Sequence, residues 1–335
     1  MTRVFNRPED FKGEFIDGFT SAYARYLRRV PDANGVIANG APREGKVSVV
    51  IGGGSGHYPA FAGYTGEGLA DAVVIGDVFT SPSSEQVYRV AKAAASEAGI
   101  LFSFGKYEGD VMNFGLAQRR LRAEGVPVET VLVTDDVASS RDDRGERRGV
   151  AGGFFVFKVA GASAARGNSL DEVVRTTEHA NASTSTFGVA FDGCTPPGRS
   201  SPLFRVDAGK LELGLGIHGE PGTDTVELMP AADLAKLMVE WTAADRPPGT
   251  TGKVAVLLNG LGTIKYEELF VLYKTVATEL AARDLEVGPT WVGEYVTSLD
   301  LPACSLSLLW LDDELSDLLD APADTPAFVH TGGAR

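Results

Sequence analysis

The sequence predicts an α/β protein of two domains, each built on a mostly parallel or mixed sheet flanked by helices, and three observations carry this. Short apolar runs are followed by a glycine-rich or acidic loop and then by helical spacing, several times over, which implies parallel strands joined by crossovers with their loops gathered on one edge. Forty glycines sit in 335 residues, many at the ends of those runs, where α/β proteins build their sites. A chain of this length exceeds one ordinary core. The texture changes after Phe187, so an N-terminal domain of residues 8–187 with glycine-rich loops and a second α/β domain of residues 188–335 are expected.

Residues 8–29 place Phe11, Phe15, Phe19, Tyr23 and Tyr26 three and four apart, which predicts one amphipathic helix covering an edge or a dimer partner. Residues 46–51 read as a strand that runs into Gly52-Gly53-Gly54-Ser55-Gly56-His57. That loop leaves a series of backbone N–H groups able to cradle an oxygen-rich ligand. A second strand, 72–75, leads to Gly76-Asp77-Val78-Phe79-Thr80-Ser81-Pro82, where proline and serines mark a helix start near Ser84. A third, 100–104, opens into Gly105-Lys106-Tyr107-Glu108-Gly109-Asp110 and a helix through Arg122; residues 128–133 are the fourth. Ligands of such sheets bind at the carboxyl ends of the strands, so His57, Ser81 and Asp110 are expected to converge. Asp110 has a second reading, as the N-cap of the following helix.

The mixed charges of residues 140–148 read as a solvated, mobile loop. A small-residue helix follows over 149–165, and another over 171–180. In the second domain, residues 211–217 read as a strand feeding a turn, 231–242 and 266–283 as helices, 254–258, 291–298 and 305–310 as strands, and 312–319 as a last helix. The proline- and alanine-rich tail is expected to be loosely ordered at its end.

Common nucleotide and hydrolase motifs do not fit the first glycine loop. A dinucleotide fingerprint needs glycine where His57 or Pro59 stands, a nucleophile elbow around Ser55 needs glycine at His57, and no Walker lysine exists in the chain. A net charge of −14 argues against nucleic acid or anionic membrane as a partner. Cys194 and Cys304 form neither a disulfide framework nor a metal knuckle, and the first residues carry no apolar signal region; both points favour a cytoplasmic protein without a membrane span or a metal site.

Of four histidines, His218 lies in Gly214-Leu215-Gly216-Ile217-His218-Gly219-Glu220-Pro221-Gly222. Glycines on both sides let the backbone present it at a strand end, as a chemical group or as a turn residue capping a carbonyl.

Together, Gly52 to His57, Gly76 to Pro82, Gly109-Asp110-Val111-Met112-Asn113-Phe114, Lys158-Val159-Ala160-Gly161-Ala162, the His218 segment, Asn259-Gly260-Leu261-Gly262 and Thr297-Ser298-Leu299-Asp300 resemble, in this order, the substrate-binding K module of dihydroxyacetone kinases. The resemblance implies a homodimeric module that binds a short-chain ketose as a covalent hemiaminal on His218. A neutral imidazole nitrogen can add to a carbonyl, whereas a polyol offers no such carbon. It also implies that His57 and Asp110 hydrogen-bond the terminal hydroxyls, with Asp110 accepting the proton of the one to be phosphorylated. Gly54, Ser55 and Ser81 would line the cleft. Lys106 stands one position away from the lysine usual in dihydroxyacetone-specific members, so its contact with substrate is lost or shifted.

In that family the nucleotide sits on a separate helical L module. Nothing in this chain resembles it, so no cofactor is expected here; ATP and Mg2+ belong on a partner module, an L-type nucleotide-binding chain charged with ATP or recharged through a phosphotransferase relay protein. Gly105 beside Asp110 leaves room for one more carbon. With the segments around Trp310 and Ala321, this resembles the erythrulose kinase branch. The competing reading is a non-enzymatic ketose-binding regulator.

Overall fold

Strand β3 (Ser48–Ser55) lies inside a six-stranded sheet and ends in its own glycines. The computed structural model describes residues 2–333, and its chain separates into two compact units. Among the described residues, the unit containing β3 comprises 6–133, 155–180 and 315–333. Its strands are β1 (Leu27–Arg29), β2 (Gly35–Ala38), β3, β4 (Ala72–Val78), β5 (Ile100–Gly105) and β6 (Val128–Val133), in the order β1-β2-β4-β3-β5-β6. From β4 to β6 all neighbours are parallel; β2 and β1 extend the sheet antiparallel.

Val49, Val50 and Ile51 are wholly buried, the near-continuous apolar run of a strand covered on both faces. Helices α2 (Ser84–Ala94) and α3 (Glu108–Ala123) cover one face, turning Val87, Val90, Phe114 and Leu121 onto Val50, Val74, Phe102 and Phe104. Phe114 stacks on Phe104 at 4.2 Å and meets Phe102 edge-on at 5.3 Å, so its truncation to alanine would cost about 3–5 kcal/mol.

Helix α1 covers only Phe11–Ala22, not residues 8–29. Helical spacing continues in the sequence, but Leu27–Arg29 instead pairs with residues 36–38 as β1, a ladder that outweighs periodicity. Phe15 and Phe19 of α1 approach the Tyr58 ring at 6.3 and 5.8 Å. The C-terminal tail is also ordered further than expected: β13 (Ala323–Asp324) and β14 (Val329–His330) pair, and Asp324 and Glu67 exchange both backbone hydrogen bonds at 2.9 and 3.1 Å.

The other unit comprises, among the described residues, 2–5, 134–154 and 181–314. Its sheet has the order β11-β10-β12-β7-β8-β9, from β7 (Thr184–Ala190), β8 (Lys210–Leu213), β9 (Asp224–Glu227), β10 (Lys253–Gly260), β11 (Glu286–Gly293) and β12 (Ala303–Leu311). Only β10 and β11 are parallel. Helices α6 (Ala231–Ala244) and α7 (Tyr266–Ala281) bury Met238, Leu272 and Val276 against Phe187, Val256, Leu306 and Trp310. In α7 the buried Leu269, Leu272, Val276 and Leu280 recur at three- and four-residue spacing, one stripe of a helix.

Compactness therefore divides the chain differently from a single break at 187/188. The chain crosses over inside α4 (Gly153–Ala165), α5 (Leu170–Ala182) and α8 (Asp313–Leu319). Residues 134–154 join β7 because Thr186 N–H donates to the Asp135 carbonyl at 2.7 Å and Val137 N–H donates to that of Thr186 at 3.0 Å. Within this segment the charge run 140–148 is solvated at Arg141, Asp142, Asp143 and Glu146, as expected, but it is anchored through Arg144 and Arg147. Arg147 is 3% exposed and forks onto both oxygens of Asp245 at 2.8 Å, and Arg144 pairs with the same carboxylate. Among the described residues no helix is long and apolar enough to cross a membrane.

Candidate functional site

Three loops leave the carboxyl ends of the adjacent parallel strands β4, β3 and β5, and they carry Ser81, Gly54-Ser55-His57 and Lys106-Asp110. Close approach explains the glycines. A Cβ on Gly54 would stand 2.7 Å from the Thr80 nitrogen, and one on Gly53 would stand 2.8 Å from the Phe61 ring. The end of β3 thus lies directly on the turn after β4, and Phe79 N–H donates to the Ser55 carbonyl at 3.0 Å. Phe79 adopts φ 55°, a conformation that bulky residues rarely take. Its ring stacks on His57 at 5.1 Å, while Phe61 meets the other ring edge-on at 6.3 Å. His57 is consequently 1% exposed, an imidazole fixed by packing.

Ser55 Oγ is buried and has no hydrogen-bond partner among the described residues. A buried hydroxyl left so costs about 1–3 kcal/mol, which a polar ligand group would remove. Ser81 is held by Asn113, whose Nδ2 donates to Ser81 Oγ at 3.2 Å while its Oδ1 accepts from the Ser84 N–H at the start of α2. Gly109 brings the first turn of α3 close to this point: its Cβ would be 3.2 Å from that of Ser81.

Asp110 is buried and is the third residue of α3. The N-cap is Tyr107, so the capping reading of Asp110 does not hold. A carboxylate in the first turn still benefits from the positive end of the helix. Lys106 is half-buried just past β5, its N–H on the Val133 carbonyl at 3.0 Å.

His218 belongs to the other unit. Strand β8 stops at Leu213, short of the expected Ile217, because Gly214 turns the chain at φ 69°. Gly219 follows at φ 87°, with the Phe204 ring 2.5 Å from where its Cβ would be. The turn closes through Gly216 N–H to the Glu220 carbonyl and Gly219 N–H to the Gly216 carbonyl, at 3.1 and 3.0 Å. Ser298 Oγ donates to the Ile217 carbonyl.

The His218 side chain is 22% exposed and its Nδ1 lies 2.8 Å from Glu220 Oε1; Glu220 Oε2 accepts the His218 backbone N–H at 3.0 Å. Burial would raise the Glu220 carboxyl, but the hydrogen bond and charge of His218 outweigh it and hold the group at about 2. Glu220 is then an acceptor only, so Nδ1 carries a proton, and whenever the ring is neutral its lone pair lies on Nε2. That is the nucleophilic tautomer.

A Dak1 domain model matches residues 17–327 of the chain. The chain belongs to the Dak1 family. It is 52% identical over 342 residues to the D-erythrulose kinase of Mycolicibacterium smegmatis, covering 100% of this chain and 59% of that protein. It is 47% identical over 333 residues to the L-erythrulose 1-kinase of the same organism, covering 98% and 58%. The dihydroxyacetone-binding subunit DhaK of PTS-dependent dihydroxyacetone kinase 2 from Listeria innocua is 39% identical over 98% of this chain and 99% of its own. Among solved structures, the dihydroxyacetone kinase of C. freundii superposes with a TM-score of 0.90 at 34% identity, over 100% of this chain and 61% of that one. The dihydroxyacetone kinase operon co-activator Dha-DhaQ does so at 0.89 and 28% identity, over 95% and 98%. This Dak1 chain thus spans under two thirds of the length of the erythrulose kinases it matches.

The fold places His57, Ser81 and Asp110 after the carboxyl ends of β3, β4 and β5, with Ser55 at the end of β3 beside them. Sequence reasoning missed Asn113, although it follows Asp110 by three residues and so shares a helix face with it. It also missed Glu220, whose signal was its place two residues after His218.

Proposed function

We propose that this chain is the ketose-binding half of a kinase, holding a short-chain ketose on His218 while a terminal hydroxyl is phosphorylated. The observation that carries the proposal is the Nδ1–H to Glu220 bond at 2.8 Å, because it leaves the nucleophilic lone pair on Nε2. Nε2 forms a bond to C2 of the ketose, the carbonyl π pair moves to oxygen, and that oxygen takes up a proton from solvent, which is balanced when Nδ1 releases its own proton to solvent. The ring becomes a cation for as long as Nδ1 keeps its proton, and the Glu220 carboxylate beside it neutralises that charge. Glycerol has no carbon for this step.

His57 and Asp110 hydrogen-bond the hydroxyls, and Asp110 accepts the proton of the reacting one. The unpartnered Ser55 Oγ, Gly54, Ser81 and Lys106 complete the contacts. ATP and Mg2+ are supplied on an L-type module, on a partner or in a longer form of the protein, charged directly or through a phosphotransferase relay. A cytoplasmic homodimer is the assembly proposed. The names of the relatives support kinase activity, and the erythrulose kinases, at 52% and 47% identity against 39% for the dihydroxyacetone-binding subunit, favour a four-carbon ketose. Likeness to the operon co-activator favours the second reading, a ketose-binding regulator. A regulator has no need of a proton acceptor such as Asp110.

The test uses dihydroxyacetone and D-erythrulose labelled with 13C at C2. On binding, the carbonyl resonance should move to the tetrahedral region with wild-type protein and not with His218→Ala. An adduct that survives this substitution overturns the assignment. Addition of an L-type module with ATP and Mg2+ should then give phosphorylation that the chain alone does not.

A further inference from the structure

A guanidinium lies against the His218 turn and takes no part in the chemistry above. The Arg148 side chain is 16% exposed, and its partner Asp136 is 4% exposed. Arg148 Nε and Nη2 reach Asp136 Oδ2 at 3.0 and 2.7 Å, and Nη2 also donates to the Gly214 carbonyl at 3.1 Å. A Cβ on Gly216 would run into Glu220 Oε2 and would stand 2.9 Å from Arg148 Nη1. One planar group therefore touches Gly214, the first glycine of the turn, and flanks Gly216, the second, on the side from which Glu220 reaches the imidazole.

The other end of Arg148 is fixed as well. Its backbone N–H donates to Ser139 Oγ at 3.0 Å, and its carbonyl accepts the Asp136 N–H at 3.1 Å. Asp136 bridges to Thr186 of β7, and β7 pairs with β8 from Val189 to Leu213. The guanidinium fork is rigid and planar, so a position set by Asp136 is passed to the Gly214 carbonyl.

We infer that Arg148 is a positioning residue for His218: anchored by Asp136, it fixes the Gly214–Gly216 arm of the turn and the approach of Glu220, so that Nε2 is presented in one tautomer and one direction. This rests on the reading of His218 as the nucleophile. Stability alone gives little reason to keep the pair, since a buried ion pair is often no better than apolar residues of the same volume. Burial pushes Asp136 up to about 6 even though Arg148 pulls it down, with Asp135 adding to the rise. Such a costly carboxylate is more readily explained by geometry than by stability.

The test compares wild type with Arg148→Gln, Arg148→Lys, Asp136→Asn and, as a control, Arg144→Gln, whose partners are Asp245 and the carbonyls of Asn181 and Thr184. Two readouts are used: the Kd for C2-labelled dihydroxyacetone and the 15N shifts of the His218 ring without ketose. Arg148→Gln should raise Kd by roughly 10- to 100-fold, the scale of a displacement near 1 Å, and should replace the distinct Nδ1–H and Nε2 signals by averaged ones. Arg148→Lys should recover part of both, and Asp136→Asn should move both in the same direction as Arg148→Gln. Arg144→Gln should move neither. Wild-type Kd and ring shifts in Arg148→Gln overturn the inference, as does an equal effect of Arg144→Gln. Should Arg148→Gln fail to fold, Arg148→Lys and Asp136→Asn decide by the same two readouts. If wild type itself forms no adduct, the covalent reading falls, and the ring shifts still decide whether Arg148 positions the histidine.

Discussion

One carboxylate, Glu220, holds His218 at two points: Oε1 takes Nδ1 at 2.8 Å and Oε2 takes the backbone N–H at 3.0 Å. Ring and backbone are thereby locked together. Replacing Glu220 by glutamine keeps the shape and removes the charge, so ketose capture should weaken by about 10-fold or more, a loss of at least ~1.4 kcal/mol. Titration with labelled dihydroxyacetone measures it, and unchanged affinity would show that the carboxylate does not support the adduct.

The same pair fixes a pH dependence. Glu220 is held at about 2 against an ordinary 4.5, a depressed carboxyl whose stabilisation is complete above 4.5 and lost as pH falls from there toward 2. The stability difference between wild type and Glu220→Gln should therefore be constant near neutrality and shrink below pH 4.5. Urea midpoints across pH 2.5–7 provide the check, and a difference that stays flat throughout contradicts it.

Asp110→Asn should leave ketose bound and lower the phosphorylation rate in the reconstituted system by about 10²- to 10⁴-fold, the range of general base catalysis. A near-normal rate would reduce Asp110 to a helix-end charge.

Gly105 ends β5 five residues before Asp110, and its lack of a side chain should favour a ketose with one more carbon. Comparing kcat/KM for dihydroxyacetone, D-erythrulose and L-erythrulose should show one erythrulose ahead by roughly 10- to 200-fold, the usual worth of one such group. Dihydroxyacetone ahead of both by tenfold would dispose of the enlarged pocket.

Lys158 is wholly buried, and burial lowers its ammonium to about 8, with Arg166 adding to the effect. Because the unfolded chain keeps that proton to about 10.5, stability should gain a component that rises between pH 8 and 10.5. Lys158→Met should abolish the component; if melting curves of the two proteins run parallel over that window, the lysine is not strained by burial.

The strand-end loops were legible because β-branched runs followed by glycines leave few other folds, and His57, Ser81 and Asp110 each follow a parallel strand; their order in the sheet, with β3 between β4 and β5, was not legible from the chain order. Local pattern failed where partners are distant. Leu27–Arg29 continues a helical spacing yet pairs with residues 36–38. Arg148 reads as one charge among many until Asp136 and Gly214, 12 and 66 residues away, are seen beside it. The interleaving of the units has the same origin, since nothing near residues 134–154 announces the bonds to Thr186 that draw them to β7.

The glycines that close β3 also limit how the protein could be re-engineered. Cβ atoms on Gly52, Gly53 and Gly54 would meet the Val74 carbonyl, the Phe61 ring and the Thr80 nitrogen at 2.5, 2.8 and 2.7 Å, and two of those neighbours are backbone. A mutant library randomised along this strand would consist mostly of proteins that cannot close the loop. At Gly109 the nearest obstacle is a single serine Cβ at 3.2 Å, which can be varied with it. Directed evolution toward bulkier sugars therefore has its freedom on the α3 side of the loops, with the β3 side as the invariant wall.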